Sequence, residues 1–297
     1  MEPSIERIKN ILVVGGGTMG SQIGMVCSLA GYDVTVQDVD EGVLEEAQEQ
    51  LKSRMARNVE KGWVEQDEVD AAFDRMTFTT EPESPAADYV IEAAVEKLDV
   101  KRDIFGKLDA VVPPHTILST NSSTIVSSRI ADATNRPDRV CNMHFFNPAL
   151  IMKCVEVVRN PQTSDATVQT AVELARRIGK EPVILHKEIS GFVANRLLGA
   201  LMDEAINLYE NGVASFKDID TACKTALGHP MGPFELMDLT GIDVNYHVRM
   251  TRYEETGDES QKPKKSIVEK FEKGELGRKT GKGWYEYDEQ GQRKGEA

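Results

Sequence analysis

Ile11-Leu12-Val13-Val14-Gly15-Gly16-Gly17-Thr18-Met19-Gly20 is the stretch that decides the fold. Four apolar residues ending in glycines read as a buried parallel strand. The glycines at 15, 17 and 20 fit G-x-G-x-x-G, and Met19 to Ala30 reads as a helix closed by Gly31. A second strand, Val34-Thr35-Val36-Gln37, leads into Asp38, an acid 21 positions after Gly17. A glycine pattern that follows a strand, opens a helix and precedes such an acid signals a dinucleotide site.

The chemistry explains the residue types. The first glycine permits a tight turn, the second lets backbone amides reach a pyrophosphate, and the third lets helix and strand pack closely. Thr18, Met19 and Gly20 stand at a helix N-terminus, whose free amides and positive dipole end favour phosphate. Asp38 suits the adenosine ribose hydroxyls and repels a 2′-phosphate; Val39 follows it, with no adjacent Arg or Lys. The expected cofactor is therefore NAD rather than NADP, against the plainer reading of a glycine turn that binds nothing.

Outward from this loop the chain alternates strand and helix. Asp40 suits a helix cap, with Leu44, Ala47, Leu51 and Met55 on one face of the helix that follows. Charged helical sequence runs from Arg57 to Phe73, broken at Gly62. Strand signals return at Met76–Thr79, Tyr89–Ile91, Thr116–Ser119, Val140–Met143, Val155–Val158 and Val183–Leu185. This alternation predicts an α/β fold with a doubly wound parallel sheet of Rossmann type. After Ser190 the strand signals stop. Helices are predicted over Phe192–Asn211, Phe216–Leu227, Pro233–Leu239 and Ser266–Lys273, with Glu254 to Lys265 a loop. The expected organisation is an NAD-binding domain with a helical arm over 1–187 and an all-α domain over 188–297.

The 297 residues are 40% apolar and 28% charged, with a formal charge of −14. That charge argues against a nucleic-acid partner, which would call for a basic stripe. The four cysteines form no C-x-x-C pair, so no disulfide framework and no metal site is expected, and a reducing compartment follows. No apolar run of about 18 residues crosses a membrane. The start, which mixes charges, does not read as a signal peptide, so the expected location is cytoplasmic.

A second cluster suggests the reaction: Asn121-Ser122-Ser123, His144-Phe145-Phe146-Asn147-Pro148, Glu156 and Asn195. Asn121 and His144 each follow a predicted parallel strand, and sites in such sheets gather at the carboxyl ends of strands. Oxidising an alcohol with NAD needs a base for the hydroxyl proton, and histidine titrates near neutrality. Glu156, in an otherwise apolar strand, needs a partner and suits the second nitrogen of His144. Ser123 and Asn195 suit donors to the substrate oxygen. Plainer readings stand beside these: His144 as a structural histidine, Glu156 at an exposed edge, Ser123 as a helix cap at Thr124 or Ile125, Asn195 as a bridge between helices. His115, His186, His229 and His247 have no evident acidic partner and receive no role.

The chain resembles the L-3-hydroxyacyl-CoA dehydrogenases, particularly the short bacterial 3-hydroxybutyryl-CoA enzymes. The resemblance spans Gly15–Gly20, Val90–Glu96, Asn121–Ser123, His144–Pro148, Met152-Lys153, Val155–Val157, Gly191–Arg196, Pro230–Leu236 and Lys279–Tyr285. It implies reversible, NAD-dependent oxidation of a short-chain (S)-3-hydroxyacyl-CoA in fatty-acid or lipid metabolism. It implies a catalytic His144–Glu156 pair, with Ser123 and Asn195 on the 3-oxygen. It brings Glu96, Lys101, Ser123 and Lys279 near NAD and Asn147 near the active site. It turns Lys61 and Arg54 toward CoA, and makes a homodimer through the helical domain. Two departures are visible. Asn-Ser-Ser-Thr replaces the usual Asn-Thr-Ser-Ser, and Ser190-Gly191-Phe192 replaces Pro-Gly-Phe, which bears on the hinge at the domain joint. Competing readings are a dehydrogenase of a free hydroxy or sugar acid, like the related gulonate dehydrogenases, and a non-enzymatic NAD-binding relative of the lens crystallin kind.

Overall fold

The computed structural model describes residues 3–81 and 86–294. The chain divides into two compact units, Met1–Val193 and Ala194–Ala297.

The first unit alternates as β1 (Asn10–Val14), α1 (Thr18–Leu29), β2 (Asp33–Gln37), α2 (Glu41–Glu60), α3 (Gln66–Asp74), β3 (Met76–Thr79), β4 (Tyr89–Glu92), α4 (Leu98–Val111), β5 (Ile117–Thr120), α5 (Ser128–Ala131), β6 (Val140–Phe145), β7 (Cys154–Arg159), α6 (Asp165–Arg177) and β8 (Glu181–Leu185). Among the described residues these strands form one eight-stranded sheet in the order β3-β2-β1-β4-β5-β6-β7-β8. The chain starts in the middle, winds out to β3, then returns to β4 beside β1. The reversal between β1 and β4 opens the crevice where ligands of such sheets bind. Both faces are covered: Ile11 and Val13 of β1 join the core that includes Ile23 and Ala171. Leu12 and Val14 join the core around Phe105 and Leu118. A strand buried on both faces reads as an unbroken apolar run.

One pairing differs from the expected parallel sheet. β6 and β7 are antiparallel, with His144 opposite Glu156. Only residues 146–153 connect them, too few for the crossover of a dozen or more residues that a parallel pair requires. His144 accordingly lies inside β6 rather than after it.

α2 begins as the sequence suggests: the Asp40 carboxylate accepts the Gly42 N–H at 2.9 Å, and Leu44, Ala47, Leu51 and Met55 are its buried residues. Gly62, at φ +67, follows its end and precedes α3.

The second unit is helical: α7 (Ala194–Glu210), α8 (Phe216–Thr225), α9 (Pro233–Thr240), α10 (Ile242–Thr256) and α11 (Lys265–Glu272). Its core joins Ile206, Phe234, Met237, Ile242, Ile267, Trp284 and Tyr285. Two buried carboxylates tie it together. Asp220 accepts the Phe234 and Glu235 N–H groups at the start of α9 and the Tyr285 hydroxyl. Asp238 accepts the Trp284 and Tyr285 N–H groups and the Tyr287 hydroxyl. Burial pushes both carboxyls above the usual range, and these donors only partly offset it. A Cβ on Gly232 would lie 2.3 Å from Asp220 Cγ, and one on Gly283 2.0 Å from an Asp238 oxygen. Gly232 of Pro-Met-Gly-Pro and Gly283 of Gly-Lys-Gly-Trp are thus required by two carboxylate clasps.

Candidate active site

The glycine loop has the shape its sequence predicts. Gly15 adopts φ +102, and a Cβ there would lie 2.6 Å from the Ala93–Ala94 backbone at the end of β4. A Cβ on Gly20 would lie 1.7 Å from the Gly15 carbonyl oxygen, so only glycine lets α1 seat against the loop. At Gly17 an added Cβ meets nothing within 4 Å; this side of the loop is open. α1 has no side-chain cap and no acid in its first turn, so its leading amides are available to a phosphate. The residues present therefore fit a dinucleotide. Asp38 carries a duty beyond the one read from sequence. Its carboxylate accepts the Gly16 N–H at 2.7 Å and the Asp40 N–H at 3.1 Å, which fixes the loop to the end of β2.

Beside this loop lies a buried network that the sequence reading did not assemble. The Lys101 ammonium, 1% exposed, donates to both oxygens of Glu92, at 2.7 and 3.0 Å, and to the Ala94 carbonyl. It also lies 3.3 Å from Glu96. Glu92 accepts the Ala94 N–H and the Thr120 hydroxyl as well. Glu96 accepts the hydroxyls of Ser122 and Thr124. Burial raises the Glu96 carboxyl, but these hydroxyls and Lys101 outweigh it and hold the group below its ordinary range. The buried Lys101 thus faces two carboxylates, the fully buried Glu92 and the exposed Glu96.

The cap considered for Ser123 belongs to Ser122, whose hydroxyl accepts the Thr124 and Ile125 N–H groups. Ser123 is half-buried, and among the described residues no hydrogen bond engages its side chain. Asn121 is fixed by its own side chain, whose oxygen accepts the Phe145 N–H next to His144.

His144 and Glu156 meet because of register. Residues opposite one another in an antiparallel pair project from the same face. Their neighbours Met143, Phe145, Val155 and Val157 point into the core on the other face. His144 Nδ1 lies 2.9 Å from Glu156 Oε2; the two side chains are 6% and 1% exposed. The second oxygen of Glu156 accepts the Val193 N–H at 2.9 Å. Phe146 packs edge-on to the imidazole at 4.6 Å, and Phe192 lies tilted to it at 5.3 Å. With Nδ1 committed to the carboxylate, Nε2 is the nitrogen left for a substrate proton.

The remaining candidates are more dispersed. Asn147 is exposed, at a cis bond to Pro148. Lys180, missed in the sequence reading, is buried and donates to the Ala149 and Met152 carbonyls of that same loop. Arg54 is half-buried on α2; Lys61, at its end, is exposed, with its ammonium 4.7 Å from the Trp63 ring. Asn195 is the second residue of α7 in the other unit, where Lys279 pairs with Asp243 at 2.6 Å. His115 does have an acidic partner, contrary to the sequence reading: its Nε2 lies 3.0 Å from Asp88. Asp88 also accepts the Lys9 and Asn10 N–H groups at the start of β1, the end of the strand away from the glycine loop, so this pair is a structural pin.

Known proteins resemble this chain over nearly its whole length. Residues 10–189 match the NAD-binding domain of 3-hydroxyacyl-CoA dehydrogenase, and residues 191–287 match the C-terminal domain of the same enzyme. A probable 3-hydroxybutyryl-CoA dehydrogenase of Bacillus subtilis is 39% identical over 284 residues, which cover 95% of this chain and 99% of that protein. The human mitochondrial hydroxyacyl-coenzyme A dehydrogenase is 37% identical over 288 residues, 94% of this chain and 91% of its own. The solved (S)-3-hydroxybutyryl-CoA dehydrogenase of Ralstonia eutropha superposes with a TM-score of 0.86 at 35% identity, covering 95% of this chain and all of that one. The chain belongs to the 3-hydroxyacyl-CoA dehydrogenase family of NAD-dependent oxidoreductases.

Proposed function

We infer that the chain interconverts (S)-3-hydroxyacyl-CoA and 3-ketoacyl-CoA, with short acyl chains such as 3-hydroxybutyryl as its preferred substrates. The observation that carries the reaction is the His144–Glu156 pair, buried and at hydrogen-bond distance. In oxidation His144 Nε2 takes the proton of the 3-hydroxyl, and Glu156 stabilises the imidazolium through Nδ1. NAD supplies the acceptor for the hydride that leaves the same carbon. In reduction the imidazolium returns its proton to the ketone oxygen. Ser123 and Asn195 donate hydrogen bonds to that oxygen.

Gly15, Gly17, Thr18, Met19 and Gly20 receive the pyrophosphate, and Asp38 the adenosine ribose. Glu96, Ser123 and Lys279 line the cofactor, with Lys101 acting from behind Glu96. Lys61 and Arg54 offer positive charge to the CoA phosphates from the arm, and Asn147 contributes to substrate binding near the active site. The second unit forms a homodimer, and the protein works in the cytoplasm; among the described residues no helix is long and apolar enough to cross a membrane.

The test is NADH consumption with acetoacetyl-CoA, with free acetoacetate as the control. Turnover of the thioester alone supports the reading; turnover of the free acid alone assigns the protein to hydroxy-acid chemistry instead. His144→Gln should lower kcat by about 10²- to 10⁴-fold, the range for a lost acid–base group, while NADH still binds. Survival of full activity in that variant removes His144 from the mechanism.

A further inference from the structure

Among the described residues Phe192 is the one non-glycine with positive φ, at +48, and it follows Gly191 at +77. A side chain makes this region unfavourable because Cβ crowds the neighbouring carbonyl. Such a residue persists only where its surroundings over-determine it. Here they do: the ring is 0% exposed and is clustered with Val158 of β7 and Leu185 of β8. The same ring faces the His144 imidazole at 5.3 Å with a 57° tilt. The next residue sends its N–H to Glu156 Oε1, the oxygen that His144 does not use. Rotating φ of Phe192 into the ordinary negative range would swing that peptide away from the carboxylate.

We propose that Phe192 is a positioning residue for the acid–base pair: its left-handed backbone delivers the Val193 N–H to Glu156 while its ring fixes the plane of the His144 imidazole. The proposal rests on the reading of His144 as the base. A backbone donor on a buried carboxylate oxygen opposes rotation and protonation of the group, and an amide does not titrate. The imidazole then has two rings packed against it, Phe146 and Phe192, with Nδ1 held by the carboxylate. The short segment entering α7 thereby helps build the dyad.

Phe192→Gly keeps a residue that accepts positive φ and deletes the ring; Phe192→Leu keeps bulk without a flat face. For acetoacetyl-CoA reduction the expected kcat falls by about ten-fold or more in the glycine variant and about three-fold in the leucine variant. A small misplacement of a reacting group suffices for such losses. The acetoacetyl-CoA KM and the NADH Kd, the latter from cofactor fluorescence, stay within about two-fold, a split that marks an effect on the chemical step. The low-field proton resonance of His144 Nδ1–H, assigned by its absence in His144→Gln, broadens in the order wild type, leucine, glycine. Wild-type kcat and an unbroadened resonance in the leucine variant overturn the proposal, even if the glycine variant does not fold. So does a parallel loss of kcat, NADH affinity and melting temperature in both variants, which marks Phe192 as core packing only. Failure of the wild type itself to turn over acetoacetyl-CoA strikes the functional reading, while the resonance still reports whether the ring and the amide order the pair.

Discussion

Glu156 divides its two oxygens between a ring nitrogen and a backbone amide, and its charge matters as much as its shape. Glu156→Gln preserves the volume but gives His144 a neutral neighbour, and it can present an N–H where the ring needs an acceptor. The expected outcome is a kcat lower by about 10²- to 10⁴-fold in both directions, following the logic of carboxylate-oriented histidines, with NADH affinity kept. Comparable kcat in the variant would show that orientation alone, without charge, suffices. This partnership was legible beforehand because a lone carboxylate in an apolar strand demands a partner. The division of labour between Ser122 and Ser123 was not. Two adjacent identical side chains differ only in direction, and the turn after β5 sends the first inward and leaves the second half-buried. Phe192 was equally silent, because a phenylalanine in sequence carries no sign of left-handed backbone.

The βα repeats were readable from periodicity, and the element readings that failed did so for identifiable reasons. The β6–β7 reversal was available in the sequence as a short connection, but two apolar strands look alike whichever way they run. α10 has no bounds set from sequence, where Ile242, Val244, Tyr246, Val248 and Met250 alternate with polar residues, a strand-like period inside a helix. Arg249, in a polar position of that alternation, is buried against Asp203, while Val244 and Val248 are exposed; tertiary pairing reversed the pattern. The expected loop at Glu254 begins only after Thr256. At this scale acid sensitivity is also set. Burial raises the Asp88 carboxyl, but His115 and the Lys9 and Asn10 amides outweigh it and leave the group below its ordinary range. A depressed carboxyl contributes stability that is present above its unfolded pKa, about 4, and is lost as pH falls through the lower folded value. Urea unfolding across that window should show a shallower pH slope for Asp88→Asn, and a neutral-pH loss of about 1–3 kcal/mol from the unmatched donors. An unchanged slope would mean that the pin at the start of β1 does not govern acid unfolding.

In the whole molecule, the passage from α/β to all-α was visible as the end of strand signals, and each unit has its own core. The functional reading draws on both, since Asn195 and Lys279 belong to the second. That unit also carries an apolar groove on α7 and α8 that includes Leu201, Leu208, Cys223 and Leu227, with Leu227 62% exposed. An exposed apolar surface of this kind suits the proposed homodimer. Leu201→Glu with Leu227→Glu should convert a dimer to a monomer in sedimentation velocity; a dimer that survives both places the interface elsewhere. The β6–β7 ladder has a consequence for how such a protein can change. A one-residue slip in either strand would turn His144 or Glu156 to the opposite face, so insertions within the ladder are forbidden. The segment 146–153 that joins the strands is held at Phe146, against the imidazole, and at the Ala149 and Met152 carbonyls, which Lys180 binds, but its exposed side chains are under no such constraint. Substrate preference can therefore be retuned at the exposed Ile151, Met152 and Lys153 of that segment, leaving Phe146 against the imidazole, and a library varied only there should yield new specificities in folded, active protein.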